Sequence, residues 1–329
     1  MQQRAALGLT AIFGATTLLS MEASAQKVEP EQIVETMRTL AGNQKARPSG
    51  AKGQCFTGTF TPTAEAKALT SSVTFAAPNR VLLRLSVGSG NPNVADNNKV
   101  VNRGFSFRLD AGGRNETEFV MVNAPINFVK SPEQMLGFLQ ARLPGADGKP
   151  DAAKITAFAT DNPETTLQGR YLASQPVAGS WVGVNYWGIH NYTFTSAAGA
   201  KQLVKFKMEP LGGMVGLTDD EAKAKPANFL VDELKARLET KAPAGFNMVA
   251  IMGGQPGDEK TNATEQWADE DKRPRTILGR IDITALEDNK KCDEAIFDPL
   301  NLARGLEGPK NDPLFTQRQP AYAVSIGKR

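Results

Sequence analysis

Histidine is nearly missing from this chain: among 329 residues there is one, His190. A zinc site of the histidine-rich kind is excluded, and any catalytic triad would have to be built on that single imidazole. Cysteine is almost as scarce. Cys55 and Cys292 stand far apart with no metal-ligand spacing, so a disulfide and two buried free thiols both fit. Neither sign of charge dominates: 38 Lys and Arg against 35 Asp and Glu leave a formal charge of +3. That balance excludes a strong general attraction to nucleic acid or to an anionic membrane. No glycine-rich phosphate loop stands at a strand-to-helix junction, since runs such as GSG and GGM lack the lysine or the spacing, and no nucleotide site is expected. Internal repeats and low-complexity segments are also missing.

Long apolar runs are limited to one, at the start. MQQR gives a positive beginning, AALGLTAIFGATTLLSM an apolar core, and ASA before Gln26 a small-residue cleavage site. Residues 1–25 therefore read as a secretory signal cleaved after Ala25, with an uncleaved anchor helix as the alternative. The expectation is a periplasmic or secreted protein with no stable membrane insertion, working as one unit over residues 26–329. About 300 residues are ample to enclose a cofactor.

Periodicity organises the rest. Pro30 to Ala41 carries Ile33, Met37 and Leu40 on one helical face, and SPEQMLGFLQARL from Ser131 begins with a serine cap and a proline. Ala152 to Gln175 reads as a helix, and Thr218 to Thr240 as a helical stretch interrupted at Pro226. Strand-like runs are Cys55 to Phe60, Val73 with Phe75, Val81 to Val87, Gly104 to Leu109, Glu118 to Val122, Trp181 to Phe194, Lys201 to Met208, Phe246 to Met252 and Thr276 to Ile283. Strands in neighbouring runs, with helices inserted late, predict an α+β protein built on an antiparallel sheet or closed β-barrel with inserted and flanking helices.

The tail, FDPLNLARGLEGPKNDPLFTQRQPAYAVSIGKR from Phe297, concentrates the chemistry. Arg318 stands one helical turn before Tyr322 and shares its face, so its guanidinium can be directed at the phenolic oxygen. A cationic donor there favours phenolate, the form in which tyrosine ligates iron.

FDPLNLARGLE and RQPAY resemble the haem-binding segment of the catalase family, its F-D-P-x-N-x-P-P-G-I-E run and its R-x-F-x-Y ligand motif. Further blocks resemble the family in the same order: ARPSGAKGQCFTGTF the distal segment, VLLRLS and RGFSFRL two strands, and VNAPINF the distal asparagine loop. GIHNYTFTSAAGAKQLVKFKM is similar to the G-x-H-T-F strand pair, and EQWADEDKRPRTILGRIDI to the region bearing a tryptophan, here Trp267. The resemblance runs from about Arg47 to the end, and the chain's length suits the small, exported, catalase-related peroxidases.

The resemblance implies haem b, with Tyr322 as the iron ligand, Arg318 as its hydrogen-bonding partner, and His190 and Asp312 behind that arginine. It places the propionate arginines at Arg47, Arg84 and Arg329, a task suited to a planar, permanently charged fork. On the distal side Ser86 is the pocket serine. The family's asparagine falls on Val122 with Asn123 adjacent, and its catalytic histidine falls on Gly50. Glycine cannot take or give a proton, so the implied reduction of hydrogen peroxide or an organic hydroperoxide by a small-molecule reductant is expected to be weakened. A haem carrier or sensor without enzymatic activity is the alternative, because it has no use for a distal base. A barrel holding some other apolar ligand would leave the ordered blocks unexplained.

Overall fold

The computed structural model describes residues 27–329, so the expected signal at 1–25 lies outside the described residues. Among the described residues twelve strands fall at Gly53–Pro62 (β1), Asn79–Val87 (β2), Arg103–Leu109 (β3), Thr117–Val122 (β4), Val177–Ala178 (β5), Tyr186–Trp187 (β6), Tyr192–Thr195 (β7), Lys201–Pro210 (β8), Gly216–Leu217 (β9), Gly245–Met252 (β10), Arg275–Glu287 (β11) and Leu306–Glu307 (β12). The barrel runs β10-β11-β1-β2-β3-β4-β6-β8 and closes where β8 pairs with β10. Every pairing around it is antiparallel. This is the closed antiparallel barrel that the neighbouring strand runs predict, and closure removes the free edges an open sheet would leave.

Alternation decides what lies inside. Along β3 every second residue is buried, and Phe105, Phe107 and Leu109 point inward. Phe105 stacks within 4.8 Å of Phe107 and 4.9 Å of Phe246, and Phe107 lies 4.9 Å from Phe119. The barrel interior is thus filled by aromatic rings, each contributing on the order of 1.5–3 kcal/mol by burial, and holds no ligand chamber. A ligand site must therefore lie outside the wall.

Helices cover that outer face: α1 (Pro30–Leu40), α2 (Ala64–Leu69), α3 (Pro132–Gln140), α4 (Ala152–Asp161), α5 (Leu167–Ser174), α6 (Asp219–Lys223), α7 (Phe229–Glu239), α8 (Asn289–Glu294) and α9 (Pro313–Ile326). The cap of α3 is Ser131, whose hydroxyl accepts from the Gln134 N–H at 3.2 Å. That of α9 is Asp312, whose Oδ1 accepts from the N–H groups of Leu314 and Phe315 at 3.0 and 3.1 Å. Among the described residues no helix is long and apolar enough to cross a membrane.

Three local expectations change. Val73–Phe75 forms a 3-10 turn, not a strand. Two buried residues in three look like half a strand, but Ser72 and Ala76 close hydrogen bonds on the turn itself. Ala152 to Gln175 is α4, a 3-10 turn at Pro163–Thr166 and α5, because Pro163 supplies no N–H to continue the helix. Trp181 to Phe194 contains a turn at Trp181–Gly183 and only the short β6 and the start of β7. The break near Pro226 is present, between α6 and α7. Cys55 and Cys292 are joined in a disulfide with their Cα atoms 5.7 Å apart, which resolves the two readings of that pair.

Candidate functional site

Two rows of facing residues cross the outer wall of the barrel. Gly53, Ser86, Gly104 and Val122 stand opposite one another on β1 to β4, and beside them run Cys55, Arg84, Ser106 and Val120. Directly paired residues share a face, so this patch is small in the middle and cationic at Arg84. A methyl group added at Gly104 would stand 2.6 Å from the Ser86 hydroxyl, and one at Gly53 would stand 2.6 Å from the Arg84 guanidinium. The shelf is flat because side chains are missing from it.

A cavity of about 300 Å³ lies between this shelf and α9. Arg47, Gly50, Arg84 and Ser86 line one side, Arg318, Tyr322 and Arg329 the other, and α1 closes an apolar edge with Ile33, Val34 and Met37. Among the described residues lining it there is no histidine, aspartate or glutamate.

On the α9 side a chain of polar contacts leads inward. Arg318 donates from Nη1 to the Tyr322 hydroxyl oxygen at 2.9 Å and from Nε to His190 Nε2 at 3.0 Å. Guanidinium only donates, so His190 Nε2 must accept; Nδ1 then carries the proton and donates to Asp312 Oδ2 at 2.6 Å. His190 and Asp312 are both buried. Burial holds the imidazole below its ordinary pKa, against the raising influence of Asp312, so the ring is neutral. Burial alone would raise Asp312, but the His190 hydrogen bond, the Phe315 N–H and the Arg318 charge outweigh it and hold the carboxyl below its usual range. Arg318 resists burial through Tyr322 and lies above its ordinary value. His190 acts by orienting Arg318, and Asp312 by orienting His190.

At the rim of the cavity three cations cluster. Arg47 donates from Nη2 to the carbonyls of Cys292 and Ala295, Arg84 from Nη2 to the Ala51 carbonyl at 3.2 Å, and Arg329 from Nη1 to the Asp293 carbonyl at 2.7 Å. The Nε atoms of Arg47 and Arg329 are buried without a hydrogen-bond partner. Desolvation, then repulsion from Arg47, pushes Arg84 down to about 9, and the same two causes push Arg329 to about 10. Buried donors that lack partners and repel one another call for an anion.

Of the resemblance-derived residues, Arg47, Gly50, Arg84, Ser86, Arg318, Tyr322 and Arg329 line one cavity, His190 and Asp312 stand behind Arg318 outside the lining, and Asn123 falls elsewhere. Asn123 is not among the lining residues; its Oδ1 accepts from the Arg103 N–H at 2.6 Å. Asn123 lies just past the end of β4, and its side chain is engaged by the backbone of β3. Asn102 and Asn127, which sequence reading did not single out, stand in the lining instead. Asn127 lies in the VNAPINF block, so its loop was signalled although its position was not.

Haem has a flat body, two carboxylates and an iron that accepts an anionic oxygen ligand. The shelf, the orphaned arginine Nε atoms and the arginine-backed phenol fit those three features in turn. Arg47, Arg84 and Arg329 would hold the carboxylates, and Tyr322 the iron.

The barrel with its outer cavity is the architecture of catalases. Catalase A from Saccharomyces cerevisiae superposes with a TM-score of 0.76 at 19% identity, over 86% of this chain and 61% of that one. A bacterial catalase gives 0.75 at 20% identity, over 100% and 67%. The chain spans less than two thirds of the yeast enzyme's length. The catalase family model matches residues 29–329, and the chain belongs to the catalase family. It is 31% identical to a catalase-related peroxidase of Synechococcus elongatus over 98% of this chain and 95% of the relative. A catalase-related peroxidase of Mycolicibacterium paratuberculosis is 27% identical over 91% and 94%.

The geometry makes two predictions. His190 is neutral in the fold and has the ordinary imidazole pKa of 6.5 when unfolded, so below that pH the unfolded chain binds the extra proton and stability falls with acid. The slope approaches about 1.4 kcal/mol per pH unit. His190→Gln is less stable at pH 7.5 and loses this component between pH 7 and 5.5, as read from urea midpoints across that range; an unchanged slope contradicts a neutral buried ring. Arg84 is charged but lowered, so its cost is present at every pH below about 9. Without ligand, Arg84→Gln raises stability by roughly 1–2 kcal/mol at pH 7. A lowered urea midpoint for that variant rejects the self-repelling cluster.

Proposed function

We propose that this chain is an exported haem b peroxidase that reduces hydrogen peroxide or an organic hydroperoxide at the expense of a small-molecule reductant. The observation that carries the reading is the cavity with Tyr322 backed by Arg318, His190 and Asp312 and three clustered arginines at its rim, two of which have an Nε without a hydrogen-bond partner. Two relatives of nearly full length carry the name catalase-related peroxidase, which supports peroxide as substrate. The short start of the chain, with its apolar run and ASA site, supports periplasmic or secreted localisation.

Bound haem would supply the redox chemistry. The chain's own residues position it: Arg318 keeps a donor on the Tyr322 oxygen, the arginine rim holds the carboxylates, and Ile33, Val34 and Met37 exclude water from one edge. Cleaving a peroxide also requires a proton to move from one oxygen to the other, and here the cavity offers no base. Gly50 stands where the family's histidine would, and its nearest side chains are the Ser86 hydroxyl and the Arg84 guanidinium. The hydroxyl of Ser86 can orient a water but cannot take up a proton as a base at neutral pH, so turnover is slow relative to a histidine-bearing relative.

The same lack of a carboxylate or imidazole in the lining favours a second reading, a haem carrier or sensor. Two experiments bear on the pair. Tyr322→Phe removes the only tyrosine in the lining and abolishes tight haem binding or shifts its absorption spectrum; a spectrum identical to wild type removes Tyr322 as ligand. Gly50→His raises peroxide consumption by about tenfold or more. Its backbone has φ +65°, a region that costs a side chain about 1–2 kcal/mol, so Gly50→Ala is measured beside it to isolate that cost. A haem-loaded Gly50→His protein no faster than Gly50→Ala supports the carrier.

A further inference from the structure

The disulfide lies at the arginine rim, and its position there has a chemical consequence. Cys292 is the only buried residue of α8, a helix of six residues. So short a helix closes too few internal hydrogen bonds to hold itself in place. It follows directly on β11, and the bridge to Cys55 ties its far side back to β1, supported by Asn289 Oδ1 accepting from the Cys55 N–H at 2.8 Å.

The carbonyls presented by this segment are the ones that grip the cations. Cys292 and Ala295 accept from Arg47, and Asp293 accepts from Arg329 at 2.7 Å. The Asp293 carboxylate also stands 3.6 Å from Arg47 Nε. On the other side of the bridge, Cys55 is the strand partner of Arg84. All three arginines thus touch, or pair with, the two half-cystines or their neighbours. Left to themselves the guanidinium groups would separate, since like charges at short range repel and each gains by returning to water. Fixed carbonyl dipoles oppose that.

We infer that the Cys55–Cys292 disulfide is a positioning device for the arginine rim, holding Arg47 and Arg329 where they retain the carboxylates of the cofactor. The inference rests on the haem reading given above. The bridge acts on ligand retention through α8, while the barrel, closed by its own hydrogen bonds and filled by its own aromatic core, stands without it.

The test is the rate at which the haem-loaded protein surrenders haem to excess apomyoglobin, followed by absorption. Four proteins are compared: wild type, Cys55→Ala with Cys292→Ala, Arg47→Ala, and the combination of all three substitutions. The cysteine variant and Arg47→Ala each release haem about tenfold faster or more, the loss of a hydrogen-bonded charge contact being worth roughly that factor. The triple variant is little faster than either, because both routes disable the same clamp. Far-UV circular dichroism of the cysteine variant stays at the wild-type signal.

A cysteine variant that releases haem at the wild-type rate overturns the inference. Multiplying effects in the triple variant overturn it too, since the bridge would then act elsewhere than through Arg47. So does loss of the circular dichroism signal, which would make the bridge a support of the whole fold. Arg47→Ala, with the disulfide intact, tests the rim independently: a wild-type release rate there is equally fatal. A wild-type protein that takes up no haem at all removes the haem reading and this inference with it, and differs visibly from every other outcome.

Discussion

Arg318 is held between two partners that each need it, and the candidate site is organised around that fork. One arm of the guanidinium reaches the Tyr322 oxygen and another reaches His190 Nε2. A guanidinium cannot lose its donors, so the imidazole is forced to accept and to send its own proton to Asp312. Asp312 in turn caps α9, the helix that carries both Arg318 and Tyr322. The loop of dependence is closed: the helix places the arginine, the arginine fixes the tautomer, and the tautomer engages the cap that starts the helix. Removing the one histidine in the chain therefore disturbs a helix start as well as a polar contact.

At the rim the arrangement is unsatisfied where the Arg318 side is satisfied. Arg47, Arg84 and Arg329 bring three positive charges together with backbone carbonyls as their principal acceptors, and two Nε atoms have none. A protein selected only for stability would replace such a group with apolar residues. Its presence beside a shelf from which side chains are withheld at Gly53 and Gly104 marks a surface shaped for a flat anion. Under the proposed haem reading the cost falls on the empty protein and would be offset on binding, which couples ligand binding to chain stability.

Much of this was legible in the sequence for local reasons. Arg318 and Tyr322 are four apart on a helix, and that spacing alone brings their ends together. Phe105, Phe107 and Leu109 alternate, so the interior of β3 could be read directly. What escaped depends on distant partners. The pairing of Cys55 with Cys292 spans 237 residues and has no local signature. Asn123 lies just past β4 with its side chain engaged by the backbone of β3, and Val73–Phe75 copies a strand pattern over too few residues to distinguish it from a turn. The resemblance of ordered blocks carried the arginine rim, which no periodicity reveals.

Gly50 gives the site its asymmetry. A positive φ and a Ser86 hydroxyl 3.2 Å from where a methyl would sit show a backbone settled around the missing side chain. Glycine adopts that angle without the steric cost a side chain would bring. The conformation thus fits the residue, and the wall opposite Tyr322 is built without a proton acceptor. Under the proposed peroxidase reading a proton relay at such a wall has to come from solvent, and the apolar edge of Ile33, Val34 and Met37 that would shield a bound cofactor would also limit the entry of water.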